Sequence, residues 1–335
     1  MADLFDLVRT QRTQLPIVPT PSTVAGGTYI VTGANTGLGF ECAKHFISLG
    51  ASRVIIAVRS VQKGDAALAI IRKETGRYDV GEVWELDLAS LDSVEAFAKR
   101  LDTLDRVDAL IENASLALVQ FSLTEGMETS LMVNVASTML LAIRALPKLR
   151  ASAKMFKIQP HLVVVTSGTA FSQKGVLEGT EGNIFDALSA KGTTNIAERY
   201  PLTKLLQIYA VRQLASLFPV SDTNVVINAV NPGLCTTELA RNAGFIFRLQ
   251  LGLMKLLLGR TAEEGSRTLL HAAVAGVASH GKYVSDCRIK EDYIPEWIRD
   301  ESGCLTQRRV WGDLVKTLET RGHTVDIPGH PANKV

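Results

Sequence analysis

Short apolar runs alternate along the chain with longer stretches in which apolar residues recur every three or four positions. Because the short runs lack a polar alternation, we expect their strands to be buried on both faces of a sheet. Strands that alternate with helices in this way predict an α/β fold, with one doubly wound parallel sheet of about seven strands and helices on both faces. The predicted strands are Tyr29–Thr32, Arg53–Val58, Glu82–Leu86, Asp108–Ile111, Leu162–Thr166, Val225–Val230 and Lys282–Val284.

The longer stretches predict the helices that connect these strands. Thr261 and Glu264 are spaced as a capping box, so a helix should begin there and run to about Ala278. A last helix is predicted by four apolar residues at helical spacing, Leu305, Trp311, Leu314 and Leu318. The other predicted helices are one ending at Phe46, then Val61–Thr75, Leu91–Leu104, Leu131–Leu149 and Leu202–Leu217.

No composition break divides the alternating pattern, so we predict one catalytic domain over residues 28–335. Residues 1–27 are expected to form an arm that Pro16, Pro19 and Pro21 keep extended. Residues 286–335 form a C-terminal extension. Two irregular stretches, 168–199 and 242–260, follow the carboxyl ends of strands, where ligands bind in open α/β sheets. We therefore expect them to be substrate loops.

Composition and charge narrow the classes of function. The 335 residues carry a net charge of +2, which argues against nucleic acid as a partner. The four cysteines are far apart and form no CxxC pair, so we expect free thiols in a reducing, cytoplasmic compartment and no metal site. Charges interrupt the first 12 residues, and no apolar run approaches the roughly 18 residues of a membrane span.

A glycine-rich turn joins the first strand to the first long helix. Gly33, Gly37 and Gly39 lie in the segment Thr32–Gly39, which also contains Asn35, Thr36 and Leu38. Glycines let the backbone approach a pyrophosphate, whose charge the helix N-terminus stabilises. The spacing differs from the usual dinucleotide fingerprint, and the alternative is an ordinary tight turn. The strand–turn–helix context favours a nucleotide site typical of the Rossmann fold.

Polar residues at the ends of later strands indicate which nucleotide binds. Arg59 ends the second strand, where an NAD site would have a carboxylate for the ribose 2′-hydroxyl. A guanidinium there suits a 2′-phosphate, so NADP(H) is the predicted cofactor. Asp87, followed by Leu88, can bond the adenine amino group. Asn113, followed by Ala114, can touch the cofactor or tie adjacent strands, and capping of loops is the alternative for both.

The candidate chemistry lies in Ser167, Tyr200 and Lys204. Tyr200 and Lys204 are four residues apart and share one face of a helix. An adjacent ammonium lowers the pKa of a tyrosine, which makes proton exchange with a substrate oxygen feasible. The Ser167 hydroxyl can donate a hydrogen bond to the same oxygen. Pro201 is tolerated only in a first turn, so the helix should begin near Tyr200.

With these motifs in order, the chain resembles the short-chain dehydrogenase/reductase family over about residues 28–284. Within it, Ala57–Ser60, Pro232–Glu238 and Gly281–Cys287 are similar to the retinol-dehydrogenase-like and filamentous-fungal branch. One departure is Ser115, where the family has glycine after the Asn-Ala pair.

The resemblance implies a role for each matching residue. Tyr200 would exchange the proton, and Lys204 would hold the nicotinamide ribose and lower the pKa of Tyr200. Asn134 would hold a water that links Lys204 to solvent. Pro232 and Gly233 would lie at the nicotinamide end, with Thr237 reaching the carboxamide.

The leading hypothesis is an NADP(H)-dependent enzyme that interconverts a carbonyl and an alcohol. The expected direction is reduction of a ketone or aldehyde. The apolar content of residues 245–258 favours a lipophilic substrate resembling a secondary metabolite. Packing against the body, a homo-oligomer contact and a peripheral membrane contact are the alternatives for this segment. A non-redox NADP-binding protein and a membrane-associated retinol- or steroid-type dehydrogenase are the alternative functions. The segment's apolar residues are Phe245, Ile246, Phe247, Leu249, Leu251, Leu253 and Met254.

Overall fold

The computed structural model describes residues 4–192, 195–237 and 258–326. Its main sheet has eight strands in the order β10-β9-β8-β7-β4-β1-β2-β3, all parallel except the pair β9 and β10. The strand order reverses next to β1, which makes the sheet doubly wound, as predicted. The strands are β1 (Thr28–Thr32), β2 (Arg53–Val58), β3 (Glu82–Glu85), β4 (Ala109–Glu112), β5 (Leu123–Thr124), β6 (Met127–Glu128), β7 (His161–Val165), β8 (Val226–Asn231), β9 (Tyr283–Ser285) and β10 (Arg288–Ile289).

Helices cover both faces of this sheet, and a π-helical turn, Met132–Ser137, interrupts one of them. The helices are α1 (Leu4–Gln11), α2 (Pro21–Val24), α3 (Gly37–Ser48), α4 (Val61–Thr75), α5 (Leu91–Leu101), α6 (Thr129–Leu131), α7 (Thr138–Phe156), α8 (Ile184–Ser189), α9 (Arg199–Leu217), α10 (Val220–Thr223), α11 (Ala262–Ala272), α12 (Glu296–Arg299) and α13 (Glu301–Glu319).

The apolar strands are buried on both faces of the sheet, as predicted. Every residue of β1 is buried, and successive side chains enter opposite layers because strand side chains alternate between faces. Ile30 belongs to the layer that contains α5, α7 and α9. Val31 belongs to the layer under α3 and α11. The sheet therefore has two cores, and both fix the carboxyl edge at which the motifs lie.

Several local expectations were wrong. The arm is not simply extended, because α1 and α2 form within it. The sheet gains an eighth, antiparallel strand after a backbone reversal at Asp286 and Cys287, which both have positive φ. A separate hairpin, β5–β6, forms where no strand was expected. The helix that begins at the Thr261 capping box ends at Ala272, earlier than Ala278.

The C-terminal helix packs on the body and holds the 168–199 loop. Trp311, Leu314 and Leu318 are buried as predicted, whereas Leu305 is 56% exposed. Asp313 of this helix accepts a hydrogen bond from the Ile184 backbone N–H at 3.0 Å. The C-terminal extension is therefore part of the scaffold that shapes the site.

One helical stretch, Thr129–Phe156, is long and apolar enough to cross a membrane by length and composition. Its most apolar window is 89% buried inside the fold, as is usual for a core helix. All four cysteines are free thiols, as expected.

Candidate active site

The glycine turn lies at the carboxyl end of β1, directly before α3. Gly33 and Gly37 have φ of +66° and +60°, a region that favours glycine. A Cβ on Gly39 would approach the Asn113 side-chain nitrogen to 2.6 Å. The N-cap, Thr36, makes no side-chain capping hydrogen bond, which leaves the first N–H groups of α3 for another acceptor. This cradle fits a pyrophosphate.

Asn113 fastens the glycine turn to the neighbouring strand. Its side-chain nitrogen donates to the carbonyl oxygen of Thr32 at 2.9 Å. The Ala114 backbone N–H donates to the Thr32 hydroxyl at 2.9 Å. Of the two roles considered for Asn113, tying adjacent strands is the one the structure shows. The Ser115 hydroxyl is buried without a hydrogen-bond partner, so a polar atom here awaits a ligand.

The next two strand ends carry the candidate adenosine contacts. Arg59 follows β2 and is exposed, while Ser60 caps α4 by accepting from the Lys63 N–H at 3.3 Å. Asp87 lies beyond β3 and accepts from the Ala89 N–H at 2.9 Å, which is the loop-capping role. Leu88 is buried. Arg59 thus lies at the carboxyl edge of the sheet, one strand away from the glycine turn.

Helix α9 begins at Arg199, which confirms the start predicted from Pro201. Tyr200 therefore lies in the first turn and faces Ser167, which follows β7. A hydrogen bond joins the two side chains. The Ser167 hydroxyl also accepts from the Thr169 hydroxyl at 3.0 Å. The residues predicted to act on a substrate oxygen are thus adjacent.

Lys204 lies one turn further along α9 and is buried. Its Nζ is 5.3 Å from the centroid of the Tyr200 ring and donates to the Val165 carbonyl oxygen at 2.8 Å. Burial lowers the pKa of Lys204 to about 7. The ammonium is thus held between β7 and the Tyr200 ring at the cost of its hydration.

The pKa of Tyr200 differs from the sequence-based expectation. Burial raises it, the nearby Cys235 thiol group raises it further, and the hydrogen bond with Ser167 opposes both. The pKa of Tyr200 is therefore shifted in the direction opposite to the lowering expected from Lys204, and burial is the main cause. The phenol stays protonated at neutral pH, which is the form that donates a proton.

Asn134 lies in the π-helical turn, a geometry often found at functional sites. Its side-chain oxygen accepts from the Leu116 N–H at 2.9 Å. Its side-chain nitrogen donates to the Leu116 carbonyl at 2.9 Å and to the Thr203 hydroxyl at 3.0 Å. The side chain thus connects the segment after β4 to α9, and the water predicted at Asn134 stays a prediction.

Gln207 was missed by the sequence analysis, although it lies three residues after Lys204 on the same helix face. Its side-chain oxygen accepts from Lys204 Nζ at 3.0 Å. Its side-chain nitrogen donates to the backbone carbonyl of Asn134 at 2.6 Å. The helical spacing alone could have indicated a polar partner for the buried lysine.

The Pro232-Gly233 turn follows β8 and is held by residues from distant parts of the chain. Gly233 has φ of +81°, and its N–H donates to the Asn231 side chain at 3.0 Å. Gln11 of α1 accepts from the Leu234 N–H at 3.2 Å and donates to the carbonyls of Leu234 and Leu258. The arm therefore fixes the backbone that leads to the nicotinamide end, a role no local pattern indicates.

Thr237 reaches back toward the glycine turn. A Cβ placed on Gly37 would lie 3.6 Å from the methyl group of Thr237, so the two ends of the predicted cofactor site approach each other. The following residues, 238–257, lie outside the described parts of the chain. Most of the 242–260 loop and the apolar positions Phe245 to Met254 fall there. In the parts that are described, no cluster of three or more His, Cys, Asp or Glu could hold a metal.

Comparisons with known proteins identify the family. A model of the short chain dehydrogenase family matches residues 28–177. A short chain dehydrogenase/reductase of Cryptosporiopsis sp. is 43% identical over 303 residues, covering 88% of this chain and 91% of that protein. The chain belongs to the short-chain dehydrogenase/reductase family. A short-chain dehydrogenase of Penicillium roqueforti is 38% identical over 310 residues, with coverage of 91% and 81%.

Solved structures of short-chain dehydrogenases share the fold. One from Sphingobium yanoikuyae, in complex with NADPH, aligns with a TM-score of 0.58 at 19% identity and covers 92% of this chain and 100% of its own. One from Shigella flexneri, complexed with NADP, gives 0.57 at 20% identity, with coverage of 79% and 98%. This short-chain dehydrogenase/reductase is therefore an oxidoreductase with the α/β fold predicted from its sequence.

Proposed function

We propose that this protein is an NADP(H)-dependent ketoreductase that converts a lipophilic ketone or aldehyde to the alcohol. The observation that carries the proposal is the arrangement around Tyr200. Its phenol is hydrogen-bonded to Ser167 and lies beside the buried ammonium of Lys204. These groups supply a proton donor, a second hydrogen-bond donor and, while Lys204 is protonated, a positive charge at one point.

In the proposed reduction, the side chains act on the substrate's carbonyl oxygen. When bound, the cofactor would supply a hydride to the carbonyl carbon. The Ser167 hydroxyl donates a hydrogen bond to the carbonyl oxygen as negative charge develops there. The Tyr200 phenol transfers its proton to that oxygen. Lys204 stabilises the resulting phenolate and presents its remaining N–H to the nicotinamide ribose.

The preference for NADP(H) rests on Arg59 and on the absence of an acid in the Arg59–Ser60 pair that follows β2. A guanidinium makes charge-assisted, bidentate hydrogen bonds to a phosphate. The NADP and NADPH of the two solved relatives support the same choice. Gly33, Asn35, Thr36, Gly37, Leu38 and Gly39 would hold the pyrophosphate.

The substrate class rests on sequence and on relatives. Residues 245–258 are strongly apolar and follow the nicotinamide-end turn. Relatives from Cryptosporiopsis, Penicillium roqueforti and Emericella nidulans are all fungal short chain dehydrogenases. We therefore propose a role in fungal secondary metabolism, in the cytoplasm.

The test is an assay of NADPH oxidation against a panel of ketones and aldehydes graded from polar to lipophilic, with NADH in parallel. The proposal expects turnover with NADPH that rises with substrate lipophilicity. Cofactor binding without turnover on any carbonyl or alcohol would instead indicate a non-redox binding protein.

A further inference from the structure

The side chain of Gln207 lies between the lysine and the π-helical turn. It accepts from Lys204 Nζ at 3.0 Å and donates to the Asn134 carbonyl oxygen at 2.6 Å. Lys204 and Gln207 are each 1% exposed and Asn134 is fully buried, so this chain of hydrogen bonds is shielded from solvent. The link between Lys204 and Asn134 is therefore made by protein atoms.

An amide bridges two groups differently from a water molecule. Its oxygen can only accept and its nitrogen can only donate, so the direction of both hydrogen bonds is fixed. A primary amide neither gains nor loses a proton near neutral pH. The bridge can hold the ammonium in place, but it cannot pass a proton from Asn134 to Lys204.

The ammonium of Lys204 has three N–H donors. Val165 takes one and Gln207 takes another, which leaves the third for a further acceptor. Without the Gln207 oxygen, a buried charge would lose one of two protein acceptors and could rotate. Loss of this contact should therefore change the position of Lys204 and destabilise its charged form.

We propose that Gln207 is a positioning residue for the Tyr200–Lys204 pair, which it holds between β7 and the π-helical turn through a bridge that does not conduct protons. The inference rests on the proposed function for its kinetic consequences. The positioning role itself is inferred from the two hydrogen bonds of Gln207, to Lys204 and to Asn134.

Few titratable groups surround this bridge. Tyr200 is the neighbour on α9, and the Cys235 thiol, after β8, acts on Tyr200. β7 presents the Val165 carbonyl, and the π-helical turn presents Asn134; neither group titrates. Glu112, at the end of the adjacent strand β4, is buried, and burial raises its pKa, which favours the neutral carboxyl. The pKa of Lys204 is lowered by burial alone.

Two variants of nearly equal size separate positioning from packing. Gln207→Met removes both hydrogen bonds and keeps a side chain of similar length. Gln207→Glu keeps an acceptor for Lys204 and adds a negative charge. Gln213→Met is the matched control, because Gln213 lies on the same helix and bonds Gln307 at 3.0 Å, away from Lys204.

The measurement is the pH dependence of kcat/KM for NADPH, which reports groups of the free enzyme. Carbonyl reduction needs the Lys204 ammonium, so activity falls as pH rises through its pKa. We expect Gln207→Met to move this falling limb about half a unit to one unit lower, which reduces activity near pH 7 about two- to five-fold. Gln207→Glu should move the limb higher, and Gln213→Met should leave it in place.

A second readout does not use turnover. NADPH affinity, followed by fluorescence, should fall as Lys204 loses its proton. The pH midpoint of this fall should be lower in Gln207→Met and higher in Gln207→Glu than in the wild type. If both Gln207 variants keep the wild-type limb and midpoint while only their melting temperatures change, Gln207 is a packing residue and the inference is overturned. Absence of carbonyl turnover in the wild type would defeat the proposed function instead, and the binding midpoints would still decide the role of Gln207.

Discussion

The Nε atom of Arg199 lies 3.3 Å from Oε2 of Glu128, and both side chains are buried. Arg199 directly precedes Tyr200 and also donates from Nη2 to the Leu188 carbonyl at 2.6 Å. Glu128 in turn caps the short helix that leads into the π-helical turn of Asn134. One ion pair thus joins three segments of the site: the 168–199 loop, the start of α9 and the turn that contains Asn134.

Arg199→Met should be strongly destabilising, since it leaves the Glu128 carboxylate buried without its counter-charge. We expect the free energy of unfolding to fall by about 3–5 kcal/mol, measured by urea denaturation. Adding Glu128→Gln should restore part of the loss, because the amide oxygen is neutral and still accepts one backbone N–H. A loss under about 1 kcal/mol in the single variant would show that the pair behaves like an exposed one.

Because Lys204 is buried, the free energy of unfolding should increase with pH just above neutrality. Burial lowers its pKa to about 7, whereas a lysine in an unfolded chain titrates near 10.4. Below about pH 7 both states are protonated, and the fold carries the full cost of the buried ammonium. Above it the unfolded state binds more protons, so the free energy of unfolding rises by up to about 1.4 kcal/mol per pH unit.

The increase of stability with pH should be measured between about pH 7 and 8.5. Above this window the thiols of Cys42 and Cys287 lose their protons in the unfolded chain but keep them in the fold, because burial raises the pKa of both. Stability then decreases as the pH rises. Urea denaturation of the wild type and of Lys204→Met at both ends of this window gives the answer. The wild type should gain stability across it and the variant should not. Equal slopes in the two proteins would assign the pH dependence to other groups.

Arg59 predicts the cofactor preference. Arg59→Asp should weaken NADPH binding at least tenfold and improve NADH relative to NADPH, since a charge-assisted contact of about 1.5–3 kcal/mol is replaced by repulsion. Lys73→Asp, the same charge change near the other end of α4, is the control. Dissociation constants by fluorescence titration decide, and an Arg59→Asp enzyme with the wild-type preference would make Arg59 a bystander.

The strands and the motif order could be predicted from sequence because both depend on local patterns. β2 matches its predicted bounds, and the start of α9 was fixed by Pro201, whose ring is excluded from a helix interior. The glycine turn was recognisable because Gly33 and Gly37 must take positive φ.

The remaining features depend on residues far apart in sequence. Gln11 bonds Leu234 and Leu258, and Arg260 donates to the Thr10 carbonyl at 2.6 Å and pairs with buried Asp286 at 2.8 Å. No periodicity links such positions. The pKa of Tyr200 was mistaken for a related reason: the sequence showed the neighbouring charge, whereas the loss of hydration that raises the pKa depends on the tertiary structure.

The apolar residues after the nicotinamide-end turn predict substrate selectivity. Replacing Phe245 and Phe247 by Ala should raise KM for a bulky lipophilic carbonyl several-fold and leave NADPH affinity nearly unchanged, since the segment would supply contact to the substrate side only. A small polar carbonyl provides the control substrate. Loss of soluble protein with an unaltered KM would place these residues in packing or in an interface.

The central claim is that Tyr200 donates the proton in carbonyl reduction, and Tyr200→Phe tests it by removing only the phenolic oxygen. The measurement is kcat for NADPH oxidation with the best carbonyl substrate, together with NADPH affinity by fluorescence titration. We predict that kcat falls at least about a hundredfold while NADPH affinity stays within a few-fold of the wild type, because Lys204 keeps its contacts to Val165 and Gln207. A Tyr200→Phe enzyme with near-normal kcat would contradict the account.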